Sequence, residues 1–322
     1  MLEDFIIQFF SDQPRRGPAV YLLLTGKKTL SILFSALQHH QLQWLQLYPT
    51  LARADFQAAL NTLLAQKRLR ETEAGLVLGP NAPDSASPVP LPEAYQPWMG
   101  LAEFERRLLL AVQVVSEASF DNRRYRPAVA EWATQQAVRT WLKHPESANF
   151  VSELTAAFAT LPTPVADRLA QRLVGHDFVG AAQVGSLTAS LDATNDLALL
   201  VAAIAQQKWP ALWDLWGGPT PLLPPNAKVV CDRFARGESR QQIAQQMRLR
   251  PSTVNEHLLE ATILGWQPPV GQVYPAAVKA ALTAYQGQQL DYQALLDAVP
   301  GSEFFQVRLF QILDLQGRWP HD

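Results

Sequence analysis

The stretch from Gly237 to Gly265, GESRQQIAQQMRLRPSTVNEHLLEATILG, constrains the fold more than any other part of the chain. Ser239 stands where a helix N-cap belongs, and Gln242 three residues on completes a capping box, in which two backbone N–H groups are satisfied reciprocally. Ile243, Ala244 and Met247 fall on one face at helical spacing. Leu249 closes a short turn. Pro251 suits the first turn of a second helix, where its missing N–H costs nothing. Val254 and Leu258 continue the apolar face. The pattern predicts a helix-turn-helix. Its two helices cross at Ala244, where only a small side chain fits, and the second helix starts in solvent near Pro251. The turn position that usually carries Gly holds Arg248, which takes left-handed backbone only at a cost. An ordinary amphipathic hairpin shares the periodicity but does not need Ala244, Pro251 and Val254 where they stand.

At 322 residues, 48% of them hydrophobic, the chain is long enough for two or three domains, each with a core. Charged residues make up 17% and the net charge is -2, which speaks against a strongly basic nucleic-acid binder or an acidic tail. One cysteine, Cys231, rules out an internal disulfide; it fits a reducing cytoplasm, and its apolar neighbours predict a core position. The longest uninterrupted apolar run, LALLVAAIA, is short of a transmembrane span. The start, MLEDFIIQFF, has Glu3 and Asp4 where a signal peptide needs positive charge. The expectation is a cytoplasmic protein that does not enter a membrane.

Taken in order, the chain predicts a mainly α fold. Residues 1–79 form an N-terminal helical unit. Met1 to Phe10 reads as a short helix broken by Pro14, Gly17 and Pro18. Thr29 to Gln38 is a helix capped by Thr29, and Arg53 to Gln66 another, with Phe56, Leu60, Leu63 and Leu64 on one face. RLRETEAGLVLG alternates on both sides of a turn at Glu73 to Gly75, so it predicts a hairpin, and helices followed by a hairpin suggest a winged helix. Residues 80–97 are rich in Pro, Ser and Ala and read as an extended linker. Residues 98–216 form a central helical domain. Its first helix runs from Leu101 to Glu117, with Phe104, Leu108, Val112 and Val115 facing inward. A loop from Phe120 to Arg126 follows, and Pro127 opens a helix on which Trp132, Val138, Trp141 and Leu142 supply apolar surface. Further helices cover 152–160, 164–174, 193–206 and 210–216, with Trp209, Trp213 and Trp216 in packing roles. Residues 217–225 read as a second linker. Residues 226–322 form the C-terminal helix-turn-helix domain, with helices at 227–236, 278–285, 292–299 and 303–313 around the motif.

No catalytic constellation is present. The histidines are scattered, zinc-site spacing is missing, and no G-x-S-x-G, H-E-x-x-H or Gly-rich dinucleotide fingerprint occurs. The chain therefore predicts no enzyme, no cofactor and no metal. Gly26-Lys27-Lys28-Thr29 invites comparison with a phosphate-binding loop, but Tyr21 stands where the first glycine belongs and Lys28 where Ser or Thr should hold magnesium. What remains is Lys27 and Lys28 at a helix start, an unfavourable place for positive charge unless an anion binds there. Arg123, Arg124 and Arg126 around Tyr125 are a second candidate for a phosphate backbone or an acidic partner. On the predicted second helix of the motif, the exposed start offers Arg250, Ser252, Thr253 and Asn255. Arg and Asn can read guanine and adenine edges, while Arg240 and Arg248 can meet phosphates. His257 reads as a packed histidine. From Pro219 to Asp322 nine Lys and Arg face nine Asp and Glu, so this domain is neutral, and with Glu256 on its reading face it would bind nucleic acid weakly.

The same residues carry a resemblance. Gly237, Ser239, Ile243 and Ala244 meet the G-x-S-x-x-x-I-A pattern of the helicase-associated helix-turn-helix domain, and Ser252, Thr253, Val254, His257 and Leu258 its S-T-[IV]-x-x-H-L pattern. VYPAAVKAALTAY and LDYQALLDAV look like the family's following helix and leucine-rich tail. That domain ends some RecQ-type helicases and stand-alone bacterial proteins of the YpbB type. VYLLLTGKKTLSIL, from Val20 to Leu33, and SFDNRRYRPAVAEWATQQAVRTWLKH, from Ser119 to His144, are similar to further segments of the stand-alone proteins. The resemblance implies a non-catalytic DNA-binding adaptor that partners a RecQ-type helicase in DNA repair or recombination. A helix-turn-helix transcription regulator is the alternative, which low basicity and the want of an evident dimerisation helix disfavour.

Overall fold

A computed structural model of the chain describes residues 1–83, 89–180, 185–288 and 290–320. It is mainly α. In chain order the elements are α1 (Leu2–Ile6), α2 (Gly17–Leu24), α3 (Leu30–Gln38), α4 (Arg53–Ala65), β1 (Leu69–Thr72), β2 (Gly75–Leu78), α5 (Leu101–Ser119), α6 (Trp132–Trp141), α7 (Phe150–Ala159) and α8 (Thr163–Ala170). There follow β3 (Val174–Gly175), β4 (Phe178–Val179), α9 (Leu187–Gln207), α10 (Pro210–Trp216), α11 (Pro225–Ala235), α12 (Arg240–Met247), α13 (Pro251–Ile263), α14 (Val270–Val273), α15 (Ala276–Thr283), α16 (Tyr292–Ala298) and α17 (Phe304–Leu315). The strands form two separate two-stranded sheets, β1 with β2 and β3 with β4, at the first of which the sequence predicts its hairpin.

The chain divides into two compact units that do not follow the sequence segments. One holds residues 1–12, 52–71 and 77–220; the other holds 13–51, 72–76 and 221–322. The predicted N-terminal unit 1–79 is thus shared out. The reason is physical: burial joins apolar faces far apart in sequence, and periodicity identifies a face without naming what covers it.

In the first unit α1 packs on α4, whose Phe56, Leu60 and Leu63 are buried as predicted together with Ala59, while Leu64 is half-exposed. Asp4 pairs with Arg68 at 2.8 Å. The second half of the Pro-rich segment is docked rather than solvated. Val89 and Tyr95 are buried, the Gln8 amide donates to the Val89 carbonyl at 3.0 Å, and the Ala94 N–H donates to Asn195 Oδ1 at 3.1 Å. Residues 84–88 of that predicted linker lie outside the described residues. The long helix α5 packs on α6, α9 and α10. Its buried face carries Phe104 and Leu108 but also the polar Gln113 and Glu117, whereas the predicted Val112 and Val115 are only half-buried. Trp216 is buried, donating its indole N–H to the Met99 carbonyl at 2.7 Å and meeting Trp213 edge-on. The helix predicted from Pro127 begins instead at Trp132; ahead of it the Ala128 N–H is taken by Gln113 Oε1 of α5 at 2.7 Å and Glu131 pairs with Arg106 of α5 at 2.8 Å. Trp132 is 72% exposed and supplies no core. At α9 the sequence reading needs correction. The helix is 21 residues and by length and composition could cross a bilayer, although its Leu191, Leu197, Leu200, Val201 and Ile204 are buried within this unit. The buried Asp196 on the same helix is gripped by both guanidinium arms of Arg168, each at 2.7 Å.

The second unit has one continuous core. Leu23, Ile32, Leu33 and Leu37 of α2 and α3 join Val230, Phe234, Ile243, Val254, Leu258, Leu282, Phe305 and Phe310 of the C-terminal helices. Cys231 is in this core as expected, and burial pushes its thiol pKa up to about 12. Helix α13 is the axis of the unit, contacted by α3, α11, α12 and α17. The 72–76 turn closes on Arg15 through paired backbone hydrogen bonds between Arg15 and Leu76 at 2.9 and 2.8 Å. Gly75 is required there, since a Cβ would come within 2.8 Å of the Arg15 carbonyl.

Candidate nucleic-acid interface

The helix-turn-helix pair forms as its local chemistry dictates. Ser239 Oγ accepts from the Gln242 N–H at 3.2 Å, and Gln242 Oε1 accepts from the Ser239 N–H at 2.8 Å, which completes the capping box. Helix α12 ends at Arg248, whose backbone is left-handed at φ 55 and ψ 40. The Leu249 N–H returns to the Ala244 carbonyl at 2.9 Å, and Pro251 occupies the first turn of α13. Ile243, Val254 and Leu258 are fully buried, and Ala244 is buried where α12 meets α13.

The predicted contact residues divide into two groups. Arg248, Arg250 and Ser252 are exposed, and neither arginine makes an ion pair among the described residues; Thr253 and Asn255 are half-exposed. Arg240 is different. Its guanidinium donates to Asn255 Oδ1 at 2.9 Å, pairs with Glu303, and lies 4.3 Å from the centroid of the Phe305 ring. Arg240 is therefore committed to the protein itself, and it holds Asn255 by its oxygen. Sequence spacing cannot reveal this, because the partner carboxylate stands at the start of α17. Around this clamp lies a half-open cleft of about 440 Å³ lined by Phe234, Ser239, Gln241, Asn255, Gln272 and Glu303.

Behind the exposed turn, α13 carries two linked ionisable groups. His257 Nδ1 lies 3.8 Å from Glu260 Oε2, and burial lowers the imidazole pKa. Burial, with a lesser push from Glu256, raises the Glu260 carboxyl to about 7, opposed by a hydrogen bond from the Leu30 backbone. Leu30 is the first residue of α3, immediately after Lys27, Lys28 and Thr29. The first N–H of α3 is thus satisfied from α13, by a carboxyl whose charged form burial disfavours. Thr29 takes the N-cap position but makes no side-chain cap bond. Of the two lysines, Lys27 is exposed, whereas Lys28 is half-buried and donates to the Leu222 carbonyl at 3.2 Å, with its pKa lowered by burial.

Arg123, Arg124 and Arg126 belong to the other unit. All three are exposed and make no ion pair among the described residues. Charge also redistributes once the units are known. The unit holding α13 carries thirteen Lys and Arg against ten Asp and Glu, +3; the other carries fourteen against nineteen, -5. The segment 219–322 alone, at zero, understates the positive character of the unit it belongs to. No group of three or more His, Cys, Asp or Glu able to hold a metal occurs among the described residues. No protein-family model, curated protein or solved structure matches the chain.

Proposed function

We propose that this protein is a non-catalytic adaptor that contacts DNA through the leading turn of α13 and acts beside a RecQ-type helicase in repair or recombination, in the cytoplasm. The observation that carries the DNA contact is the pair Arg248 and Arg250. Both are exposed at the tip of the helix-turn-helix, without an internal carboxylate partner among the described residues, in a unit of charge +3. Two cations and a neighbouring exposed Ser252 suit a modest, salt-sensitive contact rather than tight specific readout. Glu256, exposed one turn further on, lowers affinity by repelling phosphate.

The helicase partnership rests on the resemblance of residues 237–265, 20–33 and 119–144 to the helicase-associated family. Its support is indirect: two of those three segments share one core, and Glu260 of the motif caps the helix that follows Lys27 and Lys28. A shared core gives a physical reason for the two patterns to occur in one chain. The test is affinity purification of the tagged chain from its own cells, paired with binding to a fork, a duplex and a single strand of equal length. Co-elution of a helicase with preference for the fork supports the adaptor. Absence of both defeats it, and recovery of one tight motif from random duplexes replaces it with a regulator.

A further inference from the structure

The loop between α5 and α6 is irregular yet firmly held. Gln113, buried on α5, donates through its amide to the Arg126 carbonyl at 3.0 Å and accepts from the Ala128 N–H at 2.7 Å. Glu117, one turn on and also buried, accepts from the Asn122 amide at 2.6 Å, and Asn122 Oδ1 accepts from the Arg124 N–H at 3.0 Å. Two buried polar side chains thus fix the backbone that carries Arg123, Arg124 and Arg126. Satisfied buried groups of this kind rigidify a segment, and a held loop loses little entropy on binding.

At the start of this loop Phe120 is stacked on His176, ring centroids 4.4 Å apart and planes 22° from parallel. His176 is itself fixed, through Nδ1 to Glu117 Oε2 at 2.7 Å and through its backbone N–H to Ser116 Oγ at 3.0 Å. With one face on His176, Phe120 remains 63% exposed, and Phe178, across the β3–β4 turn, is 51% exposed. An exposed aromatic face three to six positions along the chain from three exposed guanidinium groups offers what a strand of unpaired bases requires: a π-face for stacking and cations for the adjoining phosphates. A peptide of acidic residues alone would use the arginines and leave the exposed aromatic face without a role; one that also carries an aromatic residue is the competing ligand for the test.

We propose that the Phe120 face and Arg123, Arg124 and Arg126 form a single-stranded nucleic-acid site. Its residues all belong to the unit that does not contain α13. Alanine substitution of a stacking aromatic weakens affinity by about five- to 140-fold per base. Each single-strand phosphate contact adds about 0.7 to the slope of log K against log salt.

The test uses the full chain, fluorescein-labelled oligo-dT, a labelled duplex, and a labelled acidic peptide ending in phenylalanine. Phe120→Ala is expected to weaken oligo-dT binding at least five-fold with its salt slope unchanged. Arg123→Gln/Arg124→Gln/Arg126→Gln is expected to weaken it more than ten-fold and to flatten that slope by about two. Duplex binding, read separately and dependent on Arg248 and Arg250, stays unchanged in both variants. Undiminished oligo-dT binding in both, no oligo-dT binding by the unaltered chain, or loss confined to the acidic peptide each overturns the assignment. All the substituted side chains are exposed or half-exposed, and matching circular dichroism and melting curves show that the variants are folded.

Discussion

Arg248→Gly separates folding from binding at a single residue. In the native chain Arg248 sits at φ 55 and ψ 40, its N–H returning to the last turn of α12, with its side chain in solvent. A residue with a Cβ is held there at a cost of about 1–2 kcal/mol. Glycine removes that cost but gives up about 0.5–1 kcal/mol in backbone entropy. The net expectation is a gain of about 0.5–1 kcal/mol in folding free energy. With a urea slope of about 2–3 kcal/mol/M, the midpoint of the unit rises by roughly 0.2–0.5 M. Arg248→Ala keeps the Cβ and removes the charge, so it should show no gain; Arg248→Asn should fall between, since Asn tolerates this backbone. Both Arg248→Gly and Arg248→Ala should weaken duplex binding and reduce the salt slope by about 0.9, one phosphate contact. Urea melts followed by circular dichroism and fluorescence anisotropy on one duplex measure the two effects. If glycine and alanine give the same stability, strain at this turn is not what the residue costs. If glycine stabilises while binding is untouched, the residue is not kept for DNA.

Glu260 should make stability depend on pH. Its folded pKa near 7 lies above the usual carboxyl value, so the folded chain binds the proton more tightly. That advantage is complete below about pH 4.5 and is lost as pH rises through 7. Glu260→Gln, which can still accept from the Leu30 N–H, should raise the melting temperature at pH 8 and flatten the profile between pH 5 and 8; an unchanged profile contradicts the assignment. Ala244→Leu should destabilise the second unit by about 1–3 kcal/mol, because a larger side chain must enter the α12–α13 contact; a urea melt equal to the native one would show the crossing is looser than described. Arg168→Met strips the buried Asp196 of both its hydrogen bonds and should cost about 2 kcal/mol, less than for a fully buried pair because Arg168 is 45% exposed. Recovery in the double variant with Asp196→Asn, read from thermal melts, is the check.

What the sequence revealed was local. The Ser239–Gln242 capping box, left-handed Arg248 and Pro251 at a first turn each depend on neighbours within four residues, and all three are found. Three of the four helices after the motif, α15, α16 and α17, also start within two residues of where periodicity puts them; the four-residue α14 is too short to show a period. What it concealed was long-range. Nothing near Lys27 indicates that Glu260 accepts from the first N–H of α3, and nothing near Arg240 indicates Glu303 or Phe305. Val89 and Tyr95 read as linker because Pro-rich composition hides isolated apolar anchors. The Phe120–His176 stack escaped for the same reason: its two rings are 56 positions apart, on an irregular loop and a hairpin without periodicity.

The central claim is that the leading turn of α13 meets nucleic-acid phosphates. Its most direct measurement is duplex affinity from about 50 to 200 mM salt for the native chain and for Arg248→Ala/Arg250→Ala. The account predicts salt-dependent binding by the native chain and a slope lower by about two in the double variant. Equal affinity and slope for the two proteins, or no duplex binding by the native chain at the lowest salt, would contradict it.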